Sequence, residues 1–117
     1  MLVLVADDNR DMRRVIRQYL ESLHPGLQVI ECAEGGDAVQ LYARHTPDLV
    51  LMDIRMEPTD GLAATASITR EHPEARVCIV TNFDDQDLRV AARSAGAVGY
   101  VTKDRLAALS SFLEPPR

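Results

Sequence analysis

Between Asp48 and Asp53 the chain runs Leu49-Val50-Leu51-Met52, four apolar residues with no polar break. A strand with one wet face alternates. An unbroken block this short, bounded by Pro47 and by the polar stretch from Arg55 to Gly61, therefore reads as a strand covered on both faces, ending at Asp53. Double coverage calls for helices above and below a sheet, and helical crossovers return the chain to a parallel strand. Three further apolar blocks also stop at polar residues: Leu2 to Ala6 reaches Asp7 and Asp8, Val77 to Val80 reaches Thr81, and Val98 to Val101 reaches Thr102 and Lys103. If these strands are parallel, every polar ending lies on one edge of the sheet.

The segments between the strands carry helical spacing. Met12, Val15, Ile16, Tyr19, Leu20 and Leu23 fall on one face of a helix that Asn9 can cap and His24-Pro25-Gly26 ends. After a strand over Leu27 to Cys32, Gly35-Gly36-Asp37 opens a helix with Ala38, Leu41 and Tyr42 inward, closed at His45-Thr46-Pro47. Leu62, Thr65 and Ile68 mark a third helix that stops at His72-Pro73. After the strand over Arg76 to Thr81, Asp84 and Asp85 start a helix with Leu88, Ala91, Ala92 and Ala95 inward, and Gly96 gives the left-handed exit. Asp104 opens a last helix with Leu106, Leu109 and Phe112, terminated by Pro115-Pro116. Five strands alternating with five helices predict one α/β domain over residues 1–117, a doubly wound parallel sheet whose ligands sit beyond the carboxyl ends of the strands.

Composition narrows the partners. With 18 acidic against 13 basic residues and a net charge of -5, and with no cluster of Lys or Arg, neither a nucleic-acid surface nor an anionic membrane is expected to bind directly. The start lacks a signal-peptide pattern and no apolar run is long enough to span a bilayer, so a cytoplasmic protein is expected. Cys32 and Cys78 sit in strand-like runs, where a thiol acts as a small hydrophobe rather than a disulfide partner. His24, His45 and His72 each fall at a helix carboxyl end, where a cation complements the helix dipole and no metal need be invoked.

The chemistry lies at the strand ends. Asp7, Asp8 and Asp53 put three carboxylates close together, and such a group needs a counter-ion; hard oxygen ligands with room for water suit Mg²⁺. Two solvated aspartates capping the first helix are the alternative, and the acid pair alone leaves both open. Thr81 and Lys103 add a hydroxyl and an ammonium at neighbouring ends. A cation, a fixed positive charge, a hydrogen-bond donor and a lone carboxylate are the parts phosphoryl transfer needs, because it depends on positioning and charge neutralisation.

From Leu2 to about Leu113 the chain resembles the receiver domain of two-component response regulators. The resemblance is carried by Asp7-Asp8, by Asp53-Ile54-Arg55-Met56 with Asp60-Gly61 beyond it, by Thr81, and by Gly99-Tyr100-Val101-Thr102-Lys103. The stretch Ala95 to Asp104 is most similar to receivers attached to helix-turn-helix transcription factors. The resemblance implies a flavodoxin-like sheet in the order 2-1-3-4-5. It further implies Asp53 as phosphate acceptor, Mg²⁺ held by Asp8, Asp53 and the Arg55 backbone carbonyl with Asp7 acting largely through water, Lys103 paired with the phosphoryl group, Thr81 donating to it, and Tyr100 as a switch aromatic at the face of the fourth helix, fifth strand and fifth helix. The implied partners are a histidine kinase or phosphotransfer protein and a downstream protein or output domain. No output domain is visible in these 117 residues.

The chain departs from the family pattern in two places. Glu57 stands where relatives usually carry proline, with Pro58 next, and Asp104 follows the lysine where proline is common, so a cis bond after Lys103 is not expected. Arg55 and Phe83 occupy positions that tune phosphate lifetime in the family. Glu57 motivates an alternative, a receiver-like protein-binding module that works without phosphorylation. A flavin-binding electron carrier is disfavoured because Asp7-Asp8-Asn9-Arg10-Asp11 follows the first strand, where a flavin phosphate wants glycines and free backbone amides. A phosphatase with an aspartate nucleophile is disfavoured because Arg55, not an acid, stands two residues beyond Asp53.

Overall fold

The computed structural model describes residues 1–113. Its chain order is β1 (Leu2–Ala6), α1 (Arg10–Leu23), β2 (Gln28–Cys32), α2 (Gly35–His45), β3 (Leu49–Met52), α3 (Gly61–Glu71), β4 (Val77–Thr81), α4 (Gln86–Ser94), β5 (Gly99–Thr102) and a terminal 3-10 helix (Lys103–Phe112). The strands form one sheet in the order β2-β1-β3-β4-β5, all parallel, as the resemblance implies. Pairing runs Ala6 with Met52, Met52 with Ile79 and Thr81 with Thr102. The ladder carries on past the strands: Asp53 N donates to the Ala6 carbonyl at 2.8 Å and Asp7 N to that of Cys32 at 3.1 Å, which fixes the backbone of both acids.

The unbroken apolar strands are explained by two cores, one on each face. Leu4, Ala6, Val50, Met52, Val77 and Ile79 meet Ala38 and Tyr42 of α2, Ala64 and Ile68 of α3, and Ala92 of α4. Their chain neighbours Val3, Val5, Leu49, Leu51, Cys78 and Val80 point the other way, against Ile16 and Leu20 of α1 and Leu109 of the terminal helix. Each fully buried Leu or Ile contributes about 1.5–3 kcal/mol, so the sheet edge that carries the polar residues rests on a rigid base. The four α-helices start on side-chain caps. Asn9 accepts from Met12 N, Asp60 from Ala63 N and Asp85 from Leu88 N, while Glu34, which the sequence reading passes over, accepts from Gly36 N and Asp37 N. The Gly96 exit has φ +100 as expected.

Several expectations are corrected. The last helix is a 3-10 helix with non-helical backbone at Arg105, and it begins at Lys103 rather than Asp104. The stop expected at Pro115-Pro116 lies outside the described residues. Val15 and Leu23, placed on the inner face of α1, are 46% and 41% exposed, because the buried stripe narrows to Ile16 and Leu20. Of the inward α4 set only Ala92 is fully buried. The basic residues are not dispersed either: the winding of α1 gathers Arg10, Arg13, Arg14 and Arg17 around one hollow, with Glu31 the carboxylate facing Arg13 and Arg17. Cys32 and Cys78 are free, and burial pushes their thiols up to about 11 and about 12. Among the described residues no helix is long and apolar enough to cross a membrane.

Candidate functional site

The parallel sheet brings the expected residues to one edge. Asp7 and Asp8 follow β1, Asp53 follows β3, Thr81 is the last residue of β4, and Lys103 follows β5. Asp7 is 1% exposed and Asp53 7%, whereas Asp8 is exposed to solvent. The Lys103 ammonium reaches back over the sheet edge to lie 2.8 Å from Asp7 Oδ2 and 3.6 Å from Asp53 Oδ2, its side chain 7% exposed. One buried cation thus serves two buried anions. A third carboxylate stands beside them: Asp7, Asp8 and Asp53 each offer an oxygen within 4.8 Å of the others, the one such cluster among the described residues, and no histidine belongs to it.

Backbone amides hold the carboxylates in place. Asn9 N donates to Asp7 Oδ1 at 2.9 Å and Ile54 N to Asp53 Oδ1 at 2.9 Å, leaving both Oδ2 atoms aimed at the common space. Asp7 Oδ2 is buried, and its partner is the Lys103 ammonium at 2.8 Å. Burial, and secondarily the Asp7 charge, push the Asp53 carboxyl from 3.8 up to about 6; the Lys103 ammonium and the Ile54 amide pull against that rise. Three crowded carboxylates with a single ammonium are a donor set that a small dication fits, Asp8 being the one of the three exposed to solvent.

The loop after β3 closes one wall. Asp8, Ile54, Arg55, Met56, Glu57 and Asp60 line a cleft of about 450 Å³. Glu57, the residue in the unusual position, shares this cleft with Asp8, and its bond to Pro58 is cis. Gly61 ends the loop because nothing larger fits: a β-carbon there would stand 1.7 Å from the Asp53 carbonyl oxygen. Gly61 N donates to the Ile54 carbonyl at 2.8 Å, so the turn that presents Asp53 is tied off at its far end.

Thr81 shares the edge as the last residue of β4. It is fully buried, and its hydroxyl oxygen accepts Phe83 N at 3.4 Å. The Arg55 guanidinium lies 4.2 Å over the Phe83 ring. Tyr100 is half-buried, and its hydroxyl donates to the Phe83 carbonyl at 2.6 Å while the Arg89 guanidinium covers its ring at 4.5 Å. Phe83 and Arg89 are thus parts of the surroundings for which the sequence reading has no structural role. The three histidines stay at the ends of α1, α2 and α3, where the His72 ring packs at a tilt against Tyr42, with 4.9 Å between centroids. The largest cavity among those found, about 610 Å³, lies by Met1, Tyr42, Pro47 and Arg76, near the other ends of the strands, and none of the expected site residues lines it.

A model of the response regulator receiver domain matches residues 3–112. The transcriptional regulatory protein LiaR of Bacillus subtilis is 36% identical over 107 residues, which are 91% of this chain and 50% of LiaR. The chemotaxis protein CheY of Halobacterium salinarum is 37% identical over 102 residues, 86% of this chain and 82% of that protein. A two-component response regulator of the LuxR family from Aurantimonas superposes with a TM-score of 0.87 at 35% identity, covering 94% of this chain and 79% of the other. The chain spans about half the length of the first curated relatives it matches.

Proposed function

The chain belongs to the response regulator receiver domain family, and from that premise we propose that it is a phosphorylation-controlled switch in which Asp53 accepts a phosphoryl group from a histidine kinase or phosphotransfer protein. The observation that carries the reading is the Lys103 ammonium seated between Asp7 and Asp53, with Asp8 completing an acidic cluster. A carboxyl that titrates at about 6 is mostly an anion at neutral pH and can act as a nucleophile. An Asp53 oxygen forms the new bond to phosphorus as the bond from phosphorus to the donor imidazole nitrogen breaks, and the released electron pair stays on the imidazole. Lys103 then lies within reach of the phosphoryl oxygens. Asp8, Asp53 and the Arg55 carbonyl would hold Mg²⁺, with Asp7 assisting through water. Bound there, the ion would supply charge neutralisation at the phosphoryl oxygens.

The relay follows from the added charge. A phosphoryl group brings about -1.5 to -2 charges beside Asp53 if it behaves like other phosphorylated side chains, enough to attract the Thr81 hydroxyl away from Phe83 N. That loosens the loop whose Phe83 carbonyl holds Tyr100. Tyr100 is then free to turn inward and change the α4–β5 face, where Val90 and Val98 are 54% and 51% exposed beside a groove of about 410 Å³. The downstream partner binds at this face.

Incubation with Mg²⁺ and a small acyl phosphate, followed by intact mass measurement, tests the reading. One phosphoryl adduct on the wild type and none on Asp53→Asn is expected. Equal labelling of the two proteins would overturn the assignment of Asp53. No adduct on either would favour the second reading, a partner-binding module without phosphate turnover, which draws its support from Glu57 in the cleft beside Asp8.

A further inference from the structure

Four of the chain's 13 basic residues fall on two turns of α1: Arg10, Arg13, Arg14 and Arg17. Steps of three and four put them on one side of the helix, where they surround a hollow of about 390 Å³ whose remaining lining residue is Glu31 of β2. Glu31 serves the inner pair, one oxygen taking Arg13 Nε at 3.0 Å and the other Arg17 Nη2. Arg13 is fixed further by donating from Nη1 to the Asp7 carbonyl at 2.6 Å. Arg17 Nε is buried without a hydrogen-bond partner, so one carboxylate does not use up the donors of the inner pair. The outer pair, Arg10 and Arg14, is exposed and makes no ion pair among the described residues. In a chain of net charge -5, four guanidinium groups here face a single carboxylate.

We infer that this hollow binds a compact polyphosphate anion, a site separate from the acidic cluster and independent of phosphorylation at Asp53. Guanidinium groups keep their charge at every physiological pH and present planar forks that match phosphoryl oxygens two at a time. Carboxylates bound the patch at both ends: Asp8 and Asp11 stand at its start, and Glu21 follows one turn after Arg17 on the same side of α1. A long polyanion such as duplex DNA runs from the arginines onto these acids and is repelled, whereas a few linked phosphates fit between them. No aromatic or apolar side chain lines the hollow, so recognition stops at the phosphates and an attached nucleoside adds nothing. Glu31 competes for the inner pair, which leaves Arg10 and Arg14 as the groups a ligand meets first.

The test is titration with inorganic tripolyphosphate at low ionic strength and without divalent cations, followed by calorimetry and by the arginine Nε signals of the ¹⁵N-labelled protein. One anion per chain is expected to bind, moving the Arg13 and Arg17 signals while those of Arg76 and Arg89 stay in place, and added salt should weaken it. Arg10→Gln and Arg14→Gln are each expected to weaken binding by about two- to five-fold, and by about ten-fold together. Neither side chain has an ion-pair partner to lose, so the folded state is kept. Glu31→Gln, which removes the competing carboxylate, should tighten binding. ATP is expected to bind no tighter than tripolyphosphate, and inorganic phosphate more weakly. Absence of saturable binding, wild-type affinity in the double variant, or signal changes that bypass Arg13 and Arg17 overturn the inference. Tighter binding of a glutamate-rich peptide or of duplex DNA than of tripolyphosphate also overturns it, and gives the face to a macromolecule.

Discussion

Replacing Asp53 by Asn should stabilise the metal-free protein at neutral pH, and the gain should disappear in acid. In the folded chain the Asp53 carboxyl is raised from 3.8 to about 6, first by burial and then by the Asp7 charge. The sign follows from proton counting. Between about pH 4 and 6 the folded state holds a proton on this carboxyl that the unfolded state has lost, so stability falls as pH rises through that window and stays lower above it. A rise of this size corresponds to about 3 kcal/mol of native-state penalty at pH 7. Asparagine keeps an oxygen for the Ile54 amide and removes the charge, which leaves Lys103 to serve Asp7 alone. Urea unfolding of both proteins without divalent cations, at several values from about pH 4 to 8, gives the stability difference directly. Comparing the two chains cancels the carboxyls that do not interact with Asp53, which titrate alike in both. The difference should grow by about 3 kcal/mol across the window and then level off. A difference that stays flat with pH would refute the claim that Asp53 is penalised by burial and by its acidic neighbour.

Lys103→Ala leaves Asp7 and Asp53 without their cation, so the variant should lose about 3–5 kcal/mol at neutral pH, recover part of it in acid, and lose its response to beryllium trifluoride while keeping the folded circular-dichroism spectrum. A normal response in the folded variant would remove Lys103 from the switch. Gly61→Ala forces a methyl into the Asp53 carbonyl and should cost about 1–3 kcal/mol by denaturant unfolding, with slower labelling by acyl phosphate because the acceptor is displaced. Wild-type stability and labelling in that variant would show that the turn has room to give.

The site was legible because a parallel sheet converts a pattern along the chain into a place in space. Once Leu2–Ala6, Leu49–Met52 and Val77–Thr81 are recognised as buried on both faces, the residues that end them must share an edge, and Asp7, Asp53 and Thr81 do. Pairings between side chains had no such signal. Arg89 over Tyr100 and Arg55 over Phe83 join residues on separate elements whose approach depends on loop conformation. The arginines of α1 look scattered in a linear reading and converge only when the helix is wound. The terminal helix departs from α-helical winding for a reason its own spacing carries. Leu106, Leu109 and Phe112 recur at steps of three, which suits three residues per turn better than the mixed three and four steps of an α-helix.

That final helix is drawn out along its axis, and length is what it supplies. A 3-10 winding advances about 2.0 Å per residue against about 1.5 Å in an α-helix, so each of its two segments, on either side of the non-helical Arg105, covers more distance per residue than an α-helix would. It leaves the sheet beside Asp7 and arrives at the opposite border, where the Phe112 carbonyl accepts a bond from Arg76 at 2.9 Å just ahead of β4. Two short windings bent at Arg105 thus bridge from one border of the sheet to the other, the first tied to Asp7 through Lys103 and the second to Arg76 through the Phe112 carbonyl.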